Sequence, residues 1–236
     1  MFQIEVAGFV IRLQNQYEDV RELCKDYITG DERKPDLIIS ASEAEIRREI
    51  EKQPGLFFGE AYGEEVVIYE EISNALPPFD AFVIHSSVIE VDGEAYAFAA
   101  ESGTGKSTHT KYWKEVLGER LTIINGDKPI FRFVDDQLMA YGTPWCGKEG
   151  WQTNTSAPLK ALCLLERAEE NEIFPVKAVE HLGELMRHFH LPAGGYVDRV
   201  KLMELIDRMI KTVPVYRLRC RNDVSAAETA IQYFGL

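Results

Sequence analysis

Ala100-Glu101-Ser102-Gly103-Thr104-Gly105-Lys106-Ser107-Thr108 is the stretch on which the fold of this 236-residue chain turns. An alternating apolar run, Glu94 to Ala100, leads into it. An amphipathic run through Trp113, Val116 and Leu117 leads out and is closed by Gly118. A strand, a glycine-bearing turn and a helix in that order predict a phosphate-binding loop. Several backbone N–H groups must converge on phosphate oxygens, and Gly103 and Gly105 permit the tight turn and close approach that this requires. The helix opening near Gly105 adds its positive end. Lys106 brings a full charge to the outer phosphates, and the Ser107 hydroxyl is a ligand for Mg²⁺. Ala100 meets the usual Gly/Ala-x4-Gly-Lys-Ser/Thr pattern in its looser form. The expected ligand is a nucleoside triphosphate, ATP or GTP, with Ser102, Gly103, Thr104, Gly105, Lys106, Ser107 and Thr108 around it.

A magnesium-nucleotide site also needs a carboxylate beyond the next strand. Leu121 to Ile124 is that strand, and Asp127 follows it. The spacing predicts a strand beside the loop strand, with Asp127 near the metal. Further out, Val88 to Val91 and Glu94 to Ala100 flank an Asp92-Gly93 hairpin turn, and Pro129 to Val134 and Gln137 to Tyr141 flank Asp135-Asp136. Leu159 to Leu165 and Val213 to Cys220 read as strands. Val176 to His190 and Asp198 to Thr212 read as helices broken apart by Pro192 and Gly194-Gly195, and Ser225 to Phe234 as a closing helix with Ser225 as N-cap. Upstream, Phe2 to Ile11, Leu37 to Ser40 and Val66 to Tyr69 are strand candidates, and Ser42 to Lys52 is a helix. Asn74-Ala75-Leu76-Pro77-Pro78 punctuates the chain most clearly. The expectation is an α/β fold with a mixed, hairpin-rich sheet, divided into a small N-terminal α+β region at 1–78 and a phosphate-loop domain at 79–236.

The composition is that of a globular protein, 45% hydrophobic and 28% charged, with a formal net charge of −13. So acidic a chain repels nucleic acid and anionic lipid, so neither is an expected partner. Cys24, Cys146, Cys163 and Cys220 show no metal-ligand spacing and read as reduced thiols. With no secretion signal at the N-terminus and no apolar run of bilayer length, the expected location is the cytoplasm.

The segment from His85 to Asp127 resembles the catalytic domain of the HPr kinase/phosphorylase and phosphoenolpyruvate carboxykinase superfamily. Ser102 to Ser107 resembles its loop, and His85, separated from it by a hairpin, matches a histidine placed beside the catalytic carboxylate. The resemblance implies Mg-ATP-dependent phosphoryl transfer to a serine or other hydroxyl on a protein, peptide or small molecule. Lys106 and Ser107 would hold phosphate and Mg²⁺, and Asp127 would bind metal or move the acceptor proton, with His85 beside it. Tyr141 to Lys148 looks like the active-site loop of small HPr-kinase-like proteins, and Lys148 would neutralise charge on the moving group. Three departures stand out. Gly126 occupies the place of the family's first aspartate, Thr108 the place of a glutamate, and the usual N-terminal domain is absent or replaced. A nucleotide-binding module without turnover is therefore the second reading, and a carboxykinase a distant third. The family's hexamers are not carried over, so a homo-oligomer stays open.

Other residues read as structural. His109 reads as exposed or packed against its helix, and His181, His188 and His190 fall on one expected helix, where His181 and His188 share a face but lack metal spacing. Trp145 anchors its loop, and Cys146 fills a small space within it. Glu166-Arg167 reads as an exposed ion pair.

Overall fold

In the computed structural model, residues 1–31, 33–52, 59–101, 103–193 and 196–236 are described. Ser102 and the Gly194-Gly195 break lie outside them. The chain opens with β1 (Phe2–Val6) and β2 (Phe9–Gln14), followed by α1 (Glu18–Leu23), β3 (Leu37–Ser40), α2 (Glu43–Glu51) and α3 (Glu60–Ala75). Phe2 to Ile11 is thus a hairpin rather than one strand. Ala7 and Gly8 both take positive φ, 53° and 77°, which turns the chain within two residues. Val66 to Tyr69 is helical: Gly63, Glu64, Val67, Ile68 and Ile72 are buried at helical spacing, and that longer period overrides the local run of β-formers. α2 begins at a capping box, with Ser42 and Glu45 each satisfying the other's backbone.

β1, β2 and β3 form a three-stranded sheet, and a second, nine-stranded sheet holds β4 (Ala81–Val83), β5 (Ser86–Val91), β6 (Glu94–Ala99), β7 (Leu121–Asn125), β8 (Ile130–Val134), β9 (Gln137–Tyr141), β10 (Ser156–Arg167), β11 (Glu172–Val176) and β12 (Val215–Cys220). Between them run α4 (Lys106–Leu117), α5 (Leu182–Leu185) and α6 (Tyr196–Thr212), and α7 (Ser225–Phe234) ends the chain. The architecture is the expected mixed, hairpin-rich α/β. One expected helix is not there. The stretch 176–190 begins at the end of β11, passes through a short 3₁₀ turn and the single turn of α5, and closes with a bridge from Phe189 to Ile84. Ser225 is the first helical residue rather than the cap, and Asp223 accepts from its N–H.

The strand order β10-β6-β5-β7 places the chemistry. β6, β10 and β12 run parallel, and β5 lies antiparallel to both β6 and β7, so β7 points the same way as β6. The carboxyl ends of β6, β7, β10 and β12 and the start of β5 therefore gather at one end of the sheet, where open α/β sheets bind ligands. β7 is not beside the loop strand as expected, because β5 intervenes. On one face, α4 and α7 bury Trp113, Ala227, Ala230 and Ile231 against Tyr96 and Phe98. On the other, α6 buries Leu202, Leu205, Ile206 and Met209 against Ala97, Leu162 and Leu164. A third core joins the N-terminal elements to Val83, Ile130 and Trp145, so α3 packs directly on the larger sheet's side of the molecule.

Candidate functional site

The loop after β6 turns through Gly103 and Gly105, with φ of 80° and 116°, values that disfavour any residue with a Cβ. A Cβ at either would meet nothing within 4 Å, so the loop stands open to a ligand. α4 starts directly at Lys106. Its first turn is pinned to the sheet by Thr110, whose hydroxyl bonds Ser87 Oγ at 2.8 Å and the Lys106 carbonyl at 3.0 Å. His109 is buried and accepts from Trp113 Nε1 at 2.8 Å, the packing role expected of it. Burial lowers it to about 3, so it is neutral.

Asp127 lies just past β7 and reaches the loop from across β5. Its Oδ1 is 3.0 Å from Lys106 Nζ and 2.7 Å from His85 Nε2, while Oδ2 pairs with Lys128 Nζ. His85 and Lys106, far away in sequence, and the adjacent Lys128 thus meet on one carboxylate. Burial pushes the Asp127 carboxyl upward, but the His85 hydrogen bond and the charges of Lys106 and Lys128 outweigh it and hold it far below the usual carboxylate range. Burial lowers Lys106 against the pull of Asp127.

The turn carrying Asp127 is fixed by Asn125, whose Oδ1 accepts from the N–H of Asp127 at 2.8 Å and of Lys128 at 2.7 Å. Its Nδ2 donates to the Thr143 carbonyl and hydroxyl. Gly126 sits under the 145–151 loop: its N–H donates to the Trp151 carbonyl, and a Cβ there would stand 2.9 Å from the Cys146 carbonyl oxygen. A second carboxylate at this position has no room. Trp145 anchors the same loop, donating to the Glu65 carbonyl of α3 at 3.1 Å.

Gly103, Gly105, Lys106, Ser107, Thr108, His85, Asp127 and Lys148 all line one cavity of about 510 Å³, and Thr104 lines the recess adjoining it. Lys148 is exposed there, on the 145–151 loop. Arg167, at the end of β10, also lines the cavity. Instead of an exposed ion pair it makes two hydrogen bonds to the loop, Nε to the Thr104 carbonyl at 2.9 Å and Nη2 to the Gly103 carbonyl at 2.5 Å. Lys128, Asn125 and this role of Arg167 do not stand out in the sequence, where the adjacency of Lys128 to Asp127 is the one visible signal. His181 bonds Arg217 rather than sharing a helix face with His188, and among the described residues no group of three His, Cys, Asp or Glu side chains is arranged to hold a metal. Among the described residues no helix is long and apolar enough to cross a membrane.

A family model described as "SynChlorMet cassette protein ScmC" matches residues 66–226, from within α3 into α7. Among solved structures, the chain is similar to the Hpr(Ser) kinase/phosphatase from Coxiella burnetii at 10% identity and a TM-score of 0.38, over 65% of this chain and 95% of that one. No curated protein matches the chain.

Proposed function

We propose that this chain, which belongs to the family of the SynChlorMet cassette protein ScmC, transfers the terminal phosphoryl group of Mg-ATP to a hydroxyl acceptor. The observation that carries this reading is the convergence of Lys106 and His85 on Asp127, 3.0 and 2.7 Å away, beside an open glycine loop at a helix start. The loop N–H groups, Lys106 and the α4 terminus hold the phosphates. Asp127 is ionised throughout the working pH range and takes the acceptor's hydroxyl proton. The acceptor oxygen then forms its bond to phosphorus as the bond to the diphosphate oxygen breaks, and ADP leaves. His85 orients the carboxylate, and Lys148 neutralises charge on the moving group.

Ser107 and Asp127 are the residues that would hold Mg²⁺. One hydroxyl and one carboxylate on the same cavity fit that ion, which keeps waters and phosphate oxygens as its other ligands. Bound there, it supplies charge neutralisation across the phosphates. Residues 79–236 form the catalytic part in this reading, and residues 1–78 pack on it through the core they share with Val83, Ile130 and Trp145.

The filled space beside Gly126 favours a second reading, a nucleotide-binding module without turnover. Incubation with Mg²⁺, γ-labelled ATP and a lysate of the source cells separates the two. Label on an acceptor supports the kinase, whereas tight binding with no label supports the module.

A further inference from the structure

Lys128 is the feature of the site that an ordinary ion pair does not explain. Asp127 carries one negative charge, already matched by Lys106 on Oδ1, yet a second ammonium covers Oδ2. The Lys106, Asp127 and Lys128 side chains are 11%, 18% and 34% exposed, so this surplus positive charge sits in a part-buried place within a chain of net charge −13. Excess like charge in such a place is unfavourable unless an anion arrives. The other side of Lys128 is equally specific. Its ammonium lies 5.5 Å from the ring centroid of Tyr69 on α3, and that ring is held at 5.9 Å from Trp145 and 5.6 Å from His190. The backbone is fixed too, since the Lys128 N–H donates to Asn125 and its carbonyl accepts from Thr143 Oγ1. The side chain thus swings from an immobile base, with a neutral aromatic face to rest on.

We propose that Lys128 is a second phosphate-directed cation, which passes from Asp127 Oδ2 to the terminal phosphate of a bound triphosphate, and that Tyr69 of α3 is its seat. The proposal rests on the nucleotide-binding reading of the loop. Lys106 serves the phosphates from the loop side. Lys128 reaches them from the acceptor side, beyond Asp127, and so meets only the outermost one. Its departure uncovers Oδ2 in the presence of the triphosphate and not of the diphosphate. This ties α3 to the reacting end of the site.

The test is direct binding of the non-hydrolysable triphosphate AMPPNP and of ADP, with Mg²⁺, by calorimetry. Lys128→Met is expected to weaken AMPPNP about tenfold or more, as for loss of a charged hydrogen bond, and ADP less than about threefold. Lys128→Arg keeps most of the preference. Tyr69→Leu loses about two- to fivefold on AMPPNP alone, and Tyr69→Phe matches the wild type. Equal losses on both nucleotides, or no loss on either, overturn the proposal while leaving the loop's ligand intact. Wild-type protein that binds neither nucleotide overturns the nucleotide reading itself. Unchanged thermal unfolding of Lys128→Arg and Tyr69→Phe guards against effects on folding.

Discussion

Asp127→Asn separates two roles that one carboxylate plays. The change keeps the side chain's shape and removes its charge from between Lys106 and Lys128. A phosphate seated in the loop shares Lys106 with Asp127, which stands 3.0 Å from that ammonium. Its nearest oxygens then lie on the order of 6 Å from the carboxylate, where two unit charges repel by about 3 kcal/mol at an effective dielectric near 20. Water and salt in the open cavity reduce this, leaving about 1–2 kcal/mol. Two lysines released from the carboxylate act in the same direction. Without Mg²⁺, the variant should therefore bind ATP about 5- to 30-fold more tightly than the wild type. With Mg²⁺ the gain should shrink, because a metal ligand is lost, and phosphoryl transfer should fall by about 10²–10⁴-fold. Calorimetric titration in EDTA and again in Mg²⁺ measures both limbs. Mg-free affinity that is unchanged or weaker would mean that Asp127 does not face the phosphates, and the reasoning would fail.

Other outcomes follow from the same geometry. Arg167→Ala frees the Gly103 and Thr104 carbonyls, and because the guanidinium is exposed the loss should be about 1–2 kcal/mol, or roughly 5- to 30-fold in ATP affinity; a change under twofold in a binding titration argues against bracing. Gly126→Ala drives a Cβ to 2.9 Å from the Cys146 carbonyl and should cost about 1–3 kcal/mol in urea unfolding, whereas an unshifted midpoint would show that the 145–151 loop yields freely. His109 is lowered to about 3 by burial, so the unfolded chain binds the extra proton between its ordinary value and about 3. Stability from this group is complete above about pH 6.5 and declines as pH falls toward 3, by up to about 1.4 kcal/mol per unit. His109→Gln should flatten that slope in unfolding midpoints taken between pH 7 and 5, and an unaltered slope contradicts a buried neutral histidine.

Local chemistry made much of this legible in the sequence. The Asp92-Gly93 and Asp135-Asp136 turns and the Gly103/Gly105 loop each need particular residues at particular places, and the structure has them there. Readings failed where long-range packing decides. Val66 to Tyr69 looks like a strand until its burial on the β1–β3 sheet makes it part of α3. The stretch 176–190 has helical spacing, yet β12 takes its first residue as a strand partner and Ile84, just past β4, bridges to Phe189 near its end. Asp127 reaches the loop from a strand that β5 separates from the loop strand, a strand order that its spacing in the sequence does not show. Lys128, Asn125 and Arg167 act through backbone carbonyls and a neighbouring carboxylate, contacts that exist only once the sheet has brought its strand ends together.

The central claim is transfer of a phosphoryl group from this loop to a hydroxyl. The measurement that tests it most directly follows γ-labelled ATP with Mg²⁺ and a lysate of the source cells, run with wild type, Lys106→Ala and Asp127→Asn. The account predicts an acid-stable phosphoester on an acceptor with the wild type, and none with either variant. Label that appears equally with Asp127→Asn, or wild-type protein that binds ATP tightly and labels nothing, would contradict it.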